Sequence, residues 1–236
     1  MIMRLEVKLI SFDAWNTLLK LDLIGELISE KLSELCGLDP KTIYELMVKV
    51  HEEVKARWIL GEVRNSDFLR EAQSTLAKEL KTSSKLVRKA VAEAFSALSP
   101  EEAFYPGVLE TLEDLSKDFH LAVISNVSYW PGKFTRAVFE RAGVSKFFRA
   151  QLYADEVGAS KPDRRIFSLL CRVCRVGTRN VIHVGDSVLE DVGGALSSGM
   201  KAVLIRKDLK SLKLVEEVGL AVIPDLSHLR QLIPLV

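Results

Sequence analysis

The chain has 236 residues, with 33 basic against 32 acidic side chains for a net charge of +1, and is 48% hydrophobic and 28% charged. That balance offers no basic surface for nucleic acid or an anionic membrane, and no run nears the ~18 apolar residues of a membrane helix. The opening MIMRLEVKLISFD lacks the long apolar stretch and small-residue cleavage site of a secretory signal, so a cytoplasmic location is expected.

In chain order, the first predicted strand is VKLISFD, a short β-branched and aliphatic run ending at Asp13. Residues 20–99 carry no strand pattern. They read as four amphipathic helices, LDLIGELISEKLSELCG, DPKTIYELMVKVHEEVKARWILG, NSDFLREAQSTLAKEL and TSSKLVRKAVAEAFSAL. Asp39-Pro40, Asn65-Ser66 and Thr82-Ser83-Ser84 are start signals, and Gly37 and Gly61 are stops. After residue 100 strand and helix alternate, with strands at HLAVISN, RAQLYA, VIHVGD, KAVLIR and LAVIP. The expected fold is therefore α/β, a Rossmann-like parallel sheet built from residues 1–19 and 100–236, with an all-α four-helix module of residues 20–99 inserted after the first strand. In such sheets ligands bind at the carboxyl ends of the strands, and a module that leaves the sheet there is placed to act as a lid.

Several polar residues fall where a strand stops: Asp13 after LISF, Ser125 and Asn126 after LAVI, Asp186 after VIHVG. Each alone suits a turn. Together with Lys161 they suggest a site. Two neighbouring carboxylates need a cation between them, and Asp13 with Asp186 makes a hard oxygen set suited to Mg²⁺. Lys161 offsets charge and holds Asp13 ionised, which leaves a competent nucleophile. Thr17 and Ser125 offer hydroxyls to an oxyanion, and Asn126 either joins them or shapes the turn. Such a site suits phosphoryl transfer.

These stretches resemble the haloacid dehalogenase superfamily in four motifs met in order: SFDAWNTLL, LAVISN, SKPDRRIF and HVGDSVLEDVGGALSSGM. The resemblance implies that Asp13 is a nucleophile forming a covalent aspartyl intermediate, that Thr17 and Ser125 bind the transferred group, and that Lys161 stabilises nucleophile and intermediate. It implies that Asp13, Asp186 and the Trp15 backbone carbonyl hold Mg²⁺, with Asp191 supporting the metal directly or through water. The helical insertion would be a mobile cap over a small phosphorylated substrate. No nucleic-acid or membrane partner is implied, and a homo-oligomer is left open.

Trp15 departs from the pattern. Phosphatases of this family usually carry there an aspartate that protonates the leaving group and later deprotonates water; an indole N–H does neither. A general acid/base contributes about 10²–10⁴-fold. Three readings follow, in order of preference: a Mg²⁺-dependent phosphohydrolase favouring good leaving groups, a catalytically degenerate phosphate-ligand or partner-binding relative, and a 2-haloacid dehalogenase, for which an aromatic residue at position 15 is chemically acceptable. Among smaller features, Cys171-x-x-Cys174 lies in a helical run with no second ligand pair, and reads as core. His183 reads as a packed strand histidine, and His51 and Glu190 as solvated helix residues. Tyr129, Trp130 and Phe134 either line the entrance or pack against the cap. Arg57 and Trp58 are candidate specificity contacts.

Overall fold

A computed structural model of the chain describes residues 6–233. Seven strands form one sheet: β1 Leu9–Phe12, β2 His120–Ser125, β3 Phe148–Tyr153, β4 Val181–Gly185, β5 Lys201–Ile205, β6 Lys213–Val215 and β7 Leu220–Ile223. Their order is β3-β2-β1-β4-β5-β7-β6, and every neighbouring pair is parallel except β6 on β7. β6 escaped the sequence reading because it is three residues long, partly exposed, and gains its partner only at the sheet edge.

Alternate residues of β1 feed opposite cores, as the strand period requires. Leu9 packs with Ile124, Phe167 and the thiols of Cys171 and Cys174 on one face, while Ile10 and Phe12 join the larger cluster shared with the inserted helices. Burial pushes the Cys171 thiol up to about 11, as suits a core side chain.

The insertion holds four helices, α1 Leu21–Cys36, α2 Pro40–Ile59, α3 Phe68–Glu79 and α4 Ser84–Ala97. α2 starts with Pro40 after Asp39, whose carboxylate accepts from Thr42 N–H. Ser83 caps α4, and Gly37 closes α1 with a left-handed φ of 69°. The Asn65-Ser66 signal fails. Those residues form a 3₁₀ turn ahead of α3, and the Asn65 side-chain oxygen Oδ1 instead accepts from Trp58 Nε1 and from Ser160 Oγ. The outgoing and returning segments lie side by side: Lys20 N–H donates to Ala103 C=O at 2.8 Å, and Tyr105 N–H to Leu18 C=O at 3.1 Å.

An aromatic seam joins the insertion to the sheet. Trp15, from the loop after β1, meets Trp130 edge-on at a centroid distance of 5.1 Å and Phe95 of α4 at 6.0 Å. Phe95 also touches Trp130 and Phe134. Phe95→Ala is expected to lower the unfolding free energy by about 3–5 kcal/mol. Urea denaturation at unchanged m-value would read this, and a loss below about 1 kcal/mol would show that the seam carries little stability.

Candidate active site

Register explains how residues distant in sequence converge. Phe12 lies opposite Val123 of β2 and Val184 of β4. Asp13 therefore emerges from the sheet level with the ends of both neighbours, and its N–H still donates to Val184 C=O at 2.8 Å. Ser125 closes β2, and Asp186 follows β4. The strand order reverses at β1, which opens the crevice where open α/β sheets hold ligands.

Beneath this edge runs a chain of charge. Lys161, 1% exposed, donates from Nζ to Asp13 Oδ1 at 2.5 Å and to Asp191 Oδ1 at 2.6 Å. Asp191 Oδ1 also accepts from His183 Nε2 at 3.0 Å, and its Oδ2 accepts from Ser187 N–H at 2.9 Å. Ser11 Oγ donates to the other ring nitrogen of His183 at 2.8 Å. Burial holds His183 below its ordinary pKa, so the neutral ring carries its proton on Nε2 and aligns Asp191. Burial opposes ionisation of Asp191, yet Lys161 and His183 outweigh it and hold this carboxyl well below the usual range. Burial likewise opposes protonation of Lys161, and the two aspartates overcome it and raise its pKa.

Asp13 differs. Burial pushes its carboxyl well up, Asp191 and Asp186 add to that, and Lys161 offsets only part. Burial and Asp191 push Asp186 up to about 6. Lys161 thus pairs with Asp13 as the sequence suggested, but it shares its one charge with Asp191, and the Asp13 and Asp186 carboxyls stand raised. One carboxylate oxygen each from Asp13, Asp186 and Asp191 lies within 4.8 Å of the others, a donor set that suits a hard divalent ion. Among the described residues the Trp15 carbonyl accepts no hydrogen bond, so it is free to join them.

Backbone features hold this cluster. Asn126 is a clamp rather than a group-binding residue: its amide donates to Lys161 C=O and to Glu190 Oε2, and its oxygen accepts from Lys161 N–H, all within 2.8–2.9 Å. A Cβ at Gly185 would sit 2.1 Å from the Asp191 carboxyl carbon, so only glycine lets Asp191 approach the strand end. Asp191 and Glu190 project from a π-helical turn, Val188–Gly193, where the sequence suggests an ordinary helix. The loop after β1 turns at Asn16, whose φ of 61° is the left-handed geometry that asparagine tolerates.

A cavity of about 180 Å³ lies between this edge and the insertion. Asp13, Asp186, Ser125, Asn126, Trp15 and Asn16 line its floor. Thr17 does not reach it. The hydroxyl is buried without a hydrogen-bond partner, because the turn folds back on the Ala14 carbonyl and leaves Trp15 and Asn16 on the cavity side. Lys161 and Asp191 lie under the floor. The Trp15 N–H donates to Thr135 Oγ1 at 3.1 Å, so this proton is held in the packing.

The roof comes from α2, the segment after it and the start of α3: His51, Lys55, Trp58, Asn65 and Phe68. His51 and Glu190 are not the solvated residues expected. His51 Nδ1 pairs with Ser128 Oγ at 2.9 Å, and Glu190 bridges Lys55 at 2.6 Å and Asn126. Their sequence signal is faint: His51, Lys55 and Trp58 share a face of α2 beside its apolar stripe of Ile43, Met47, Val50 and Val54. Arg57 pairs with Glu62 and Glu71 and stays out of the cavity. Tyr129 donates its hydroxyl to Met47 C=O and packs against the insertion, whereas Trp130 both packs and lines the wall.

Known proteins resemble the chain in sequence and in fold. A glyceraldehyde 3-phosphate phosphatase of Methanothermobacter thermautotrophicus is 34% identical over 147 residues, 59% of this chain and 61% of that protein. The chain thus spans less than two thirds of the curated relatives it matches. A magnesium-bound HAD-hydrolase of Bacillus subtilis superposes with a TM-score of 0.77 at 17% identity, covering 97% of this chain and 99% of that one. The L-2-haloacid dehalogenase of Xanthobacter autotrophicus, carrying covalently bound chloropropionic acid, superposes with a TM-score of 0.70 at 19% identity over 97% and 98%. The last two likenesses establish the fold, and the family model matching residues 7–199 establishes descent: the chain belongs to the haloacid dehalogenase-like hydrolases.

Proposed function

We propose that the chain is a Mg²⁺-dependent phosphohydrolase acting on a small phosphorylated metabolite through an aspartyl-phosphate intermediate on Asp13. The observation that carries this reading is the charge imbalance at the strand ends: three clustered carboxylates, one shared lysine, and two carboxyls pushed up toward protonation. A metal-free dehalogenase would leave that imbalance uncorrected and would repel a haloacid carboxylate. The phosphatase name of the Methanothermobacter relative supports the same substrate class.

When bound, Mg²⁺ would supply positive charge for the phosphoryl oxygens and keep Asp13 ionised, held by Asp13, Asp186 and the Trp15 carbonyl with Asp191 in support. The residues of the chain do the rest. Asp13 attacks phosphorus, and the electron pair of the breaking P–O bond leaves with the alcohol or acid oxygen. Lys161 keeps the nucleophile oriented beneath the floor, and Ser125 offers a hydroxyl from its wall. The helices of residues 20–99 form a cap that excludes water from the cavity. Trp15 supplies no proton to the departing oxygen, which selects substrates whose leaving group is stable as an anion. The same residue favours a second reading, a phosphate-ligand binder with little turnover.

Phosphate release from an aryl or acyl phosphate is expected with Mg²⁺ and absent with chelator, and Asp13→Asn should reduce it to the buffer rate. Retained binding of a phosphate analogue without release across a broad substrate panel would establish the binder, and metal-free halide release would establish a dehalogenase. Along an aryl-to-alkyl phosphate series, kcat/KM should fall steeply as the leaving-group pKa rises; a flat profile would mean that some side chain protonates the leaving oxygen. Thermal unfolding gives a further test. The Asp13 and Asp186 carboxyls stand above their unfolded values, so protonation stabilises the metal-free fold at low pH, and that stability is lost as pH rises through their raised pKa values, about 6 for Asp186. Cation binding needs both ionised. Saturating Mg²⁺ should therefore raise Tm more at about pH 8 than at about pH 5.

A further inference from the structure

The phosphohydrolase reading leaves one step without a residue. Hydrolysis of an aspartyl phosphate needs a group to take a proton from water, and Trp15 has no lone pair to do so. The titratable side chains on the cavity wall are Asp13, Asp186, Glu190, Lys55 and His51. Asp13 carries the phosphoryl group as an acyl phosphate at that stage. Asp186 belongs to the cation set. Glu190 spends one oxygen on Lys55 and the other on Asn126. Lys55 is protonated and paired with Glu190.

His51 remains. Its ring stands edge-on to Phe68 at 5.9 Å, and Nδ1 is tied to Ser128 Oγ, in the loop after β2 that also carries Asn126. The imidazole is thus fixed from both the insertion and the sheet, with Nε2 left without a partner among the described residues. When Nδ1–H donates to the serine oxygen, Nε2 carries the free lone pair.

We propose that His51 is the base of the dephosphorylation step, accepting at Nε2 a proton from the water that attacks the aspartyl phosphate. This rests on the phosphohydrolase reading above. The water oxygen bonds to phosphorus as its proton passes to the imidazole. The bond between phosphorus and the Asp13 oxygen breaks, and its electron pair returns to the carboxylate. Inorganic phosphate departs, and the imidazolium gives its proton to solvent. The electrostatic setting agrees. Burial and the Lys55 ammonium depress the His51 pKa, and Glu52 on the same helix with Glu190 across the cavity only partly counter them, so the ring is neutral and able to accept. A neutral ring gives no proton to the first leaving group, so the assignment is consistent with a preference for stable leaving anions.

Rapid mixing of the Mg²⁺-loaded full chain with 4-nitrophenyl phosphate tests this, with nitrophenolate release followed in time and acid-quenched protein assayed for acyl phosphate. His51→Gln and His51→Ala should each give a burst approaching one nitrophenolate per site, accumulate phosphoprotein, and release phosphate about 10²–10⁴-fold more slowly than the parent. Added imidazole should restore turnover in His51→Ala but not in His51→Gln, whose side chain fills the space. Equal phosphoprotein decay in parent and variants would overturn the assignment while leaving the phosphohydrolase reading intact. Slowed burst and slowed turnover in equal measure would also overturn it, since His51 would then act before or during phosphorylation. Absence of phosphoprotein and of nitrophenolate release in every form would overturn both.

Discussion

The site depends on one buried ammonium. Lys161 lies between Asp13 and Asp191 with almost no solvent contact, and an isolated ammonium there would be untenable. Removing one partner of such a pair costs about 3–5 kcal/mol, because the remaining charge is left unmatched. Much nearby architecture answers to that constraint. Asn126 grips the Lys161 backbone from both sides, His183 and the Ser187 N–H align Asp191, and Gly185 leaves room for its carboxylate. None of these residues has to touch a substrate. They fix the lysine, and the lysine fixes Asp13.

The same ammonium is too little charge for its surroundings. Lys161 serves Asp13 and Asp191 at nearly equal distance, His183 adds a further bond to Asp191, and the carboxyls of Asp13 and Asp186 stand raised. Three clustered carboxylates with raised members are a setting in which an added positive charge would be favourable.

Features set by local periodicity were legible in the sequence. Short apolar runs gave the strands, and a polar residue ending each run marked the edge where Asp13, Ser125 and Asp186 meet, since parallel register aligns strand ends. Long-range partners were not legible. Asn65 has the composition of a helix cap, but Trp58 and Ser160 reach its oxygen first, and the helix starts later. Glu190 and His51 look solvated in any linear view, and only docking of α2 on the sheet edge brings them to Lys55, Asn126 and Ser128. Thr17 fits the motif by type, yet the fold-back of its turn hides the hydroxyl. In each case tertiary contact decided what local sequence could not.

Trp15 shows how position and role separate. The family resemblance puts a metal-binding carbonyl and a proton-shuttling side chain at this position, and the indole serves cohesion instead of proton transfer: it joins Phe95 of α4 to Trp130 and anchors its N–H on Thr135. An aspartate in that place would leave helix docking to other contacts, whereas tryptophan makes the catalytic loop itself part of the interface. A second link is polar, running from Lys55 of α2 through Glu190 and Asn126 to the Lys161 backbone. Opening the insertion would strip the aromatic side chain from the loop after Asp13 and release the carboxylate that braces Asn126. Asp13, Lys161 and the helices above them are therefore linked through one aromatic and one polar set of contacts, and the residue that offers no proton shuttle is the one that ties the loop to its roof.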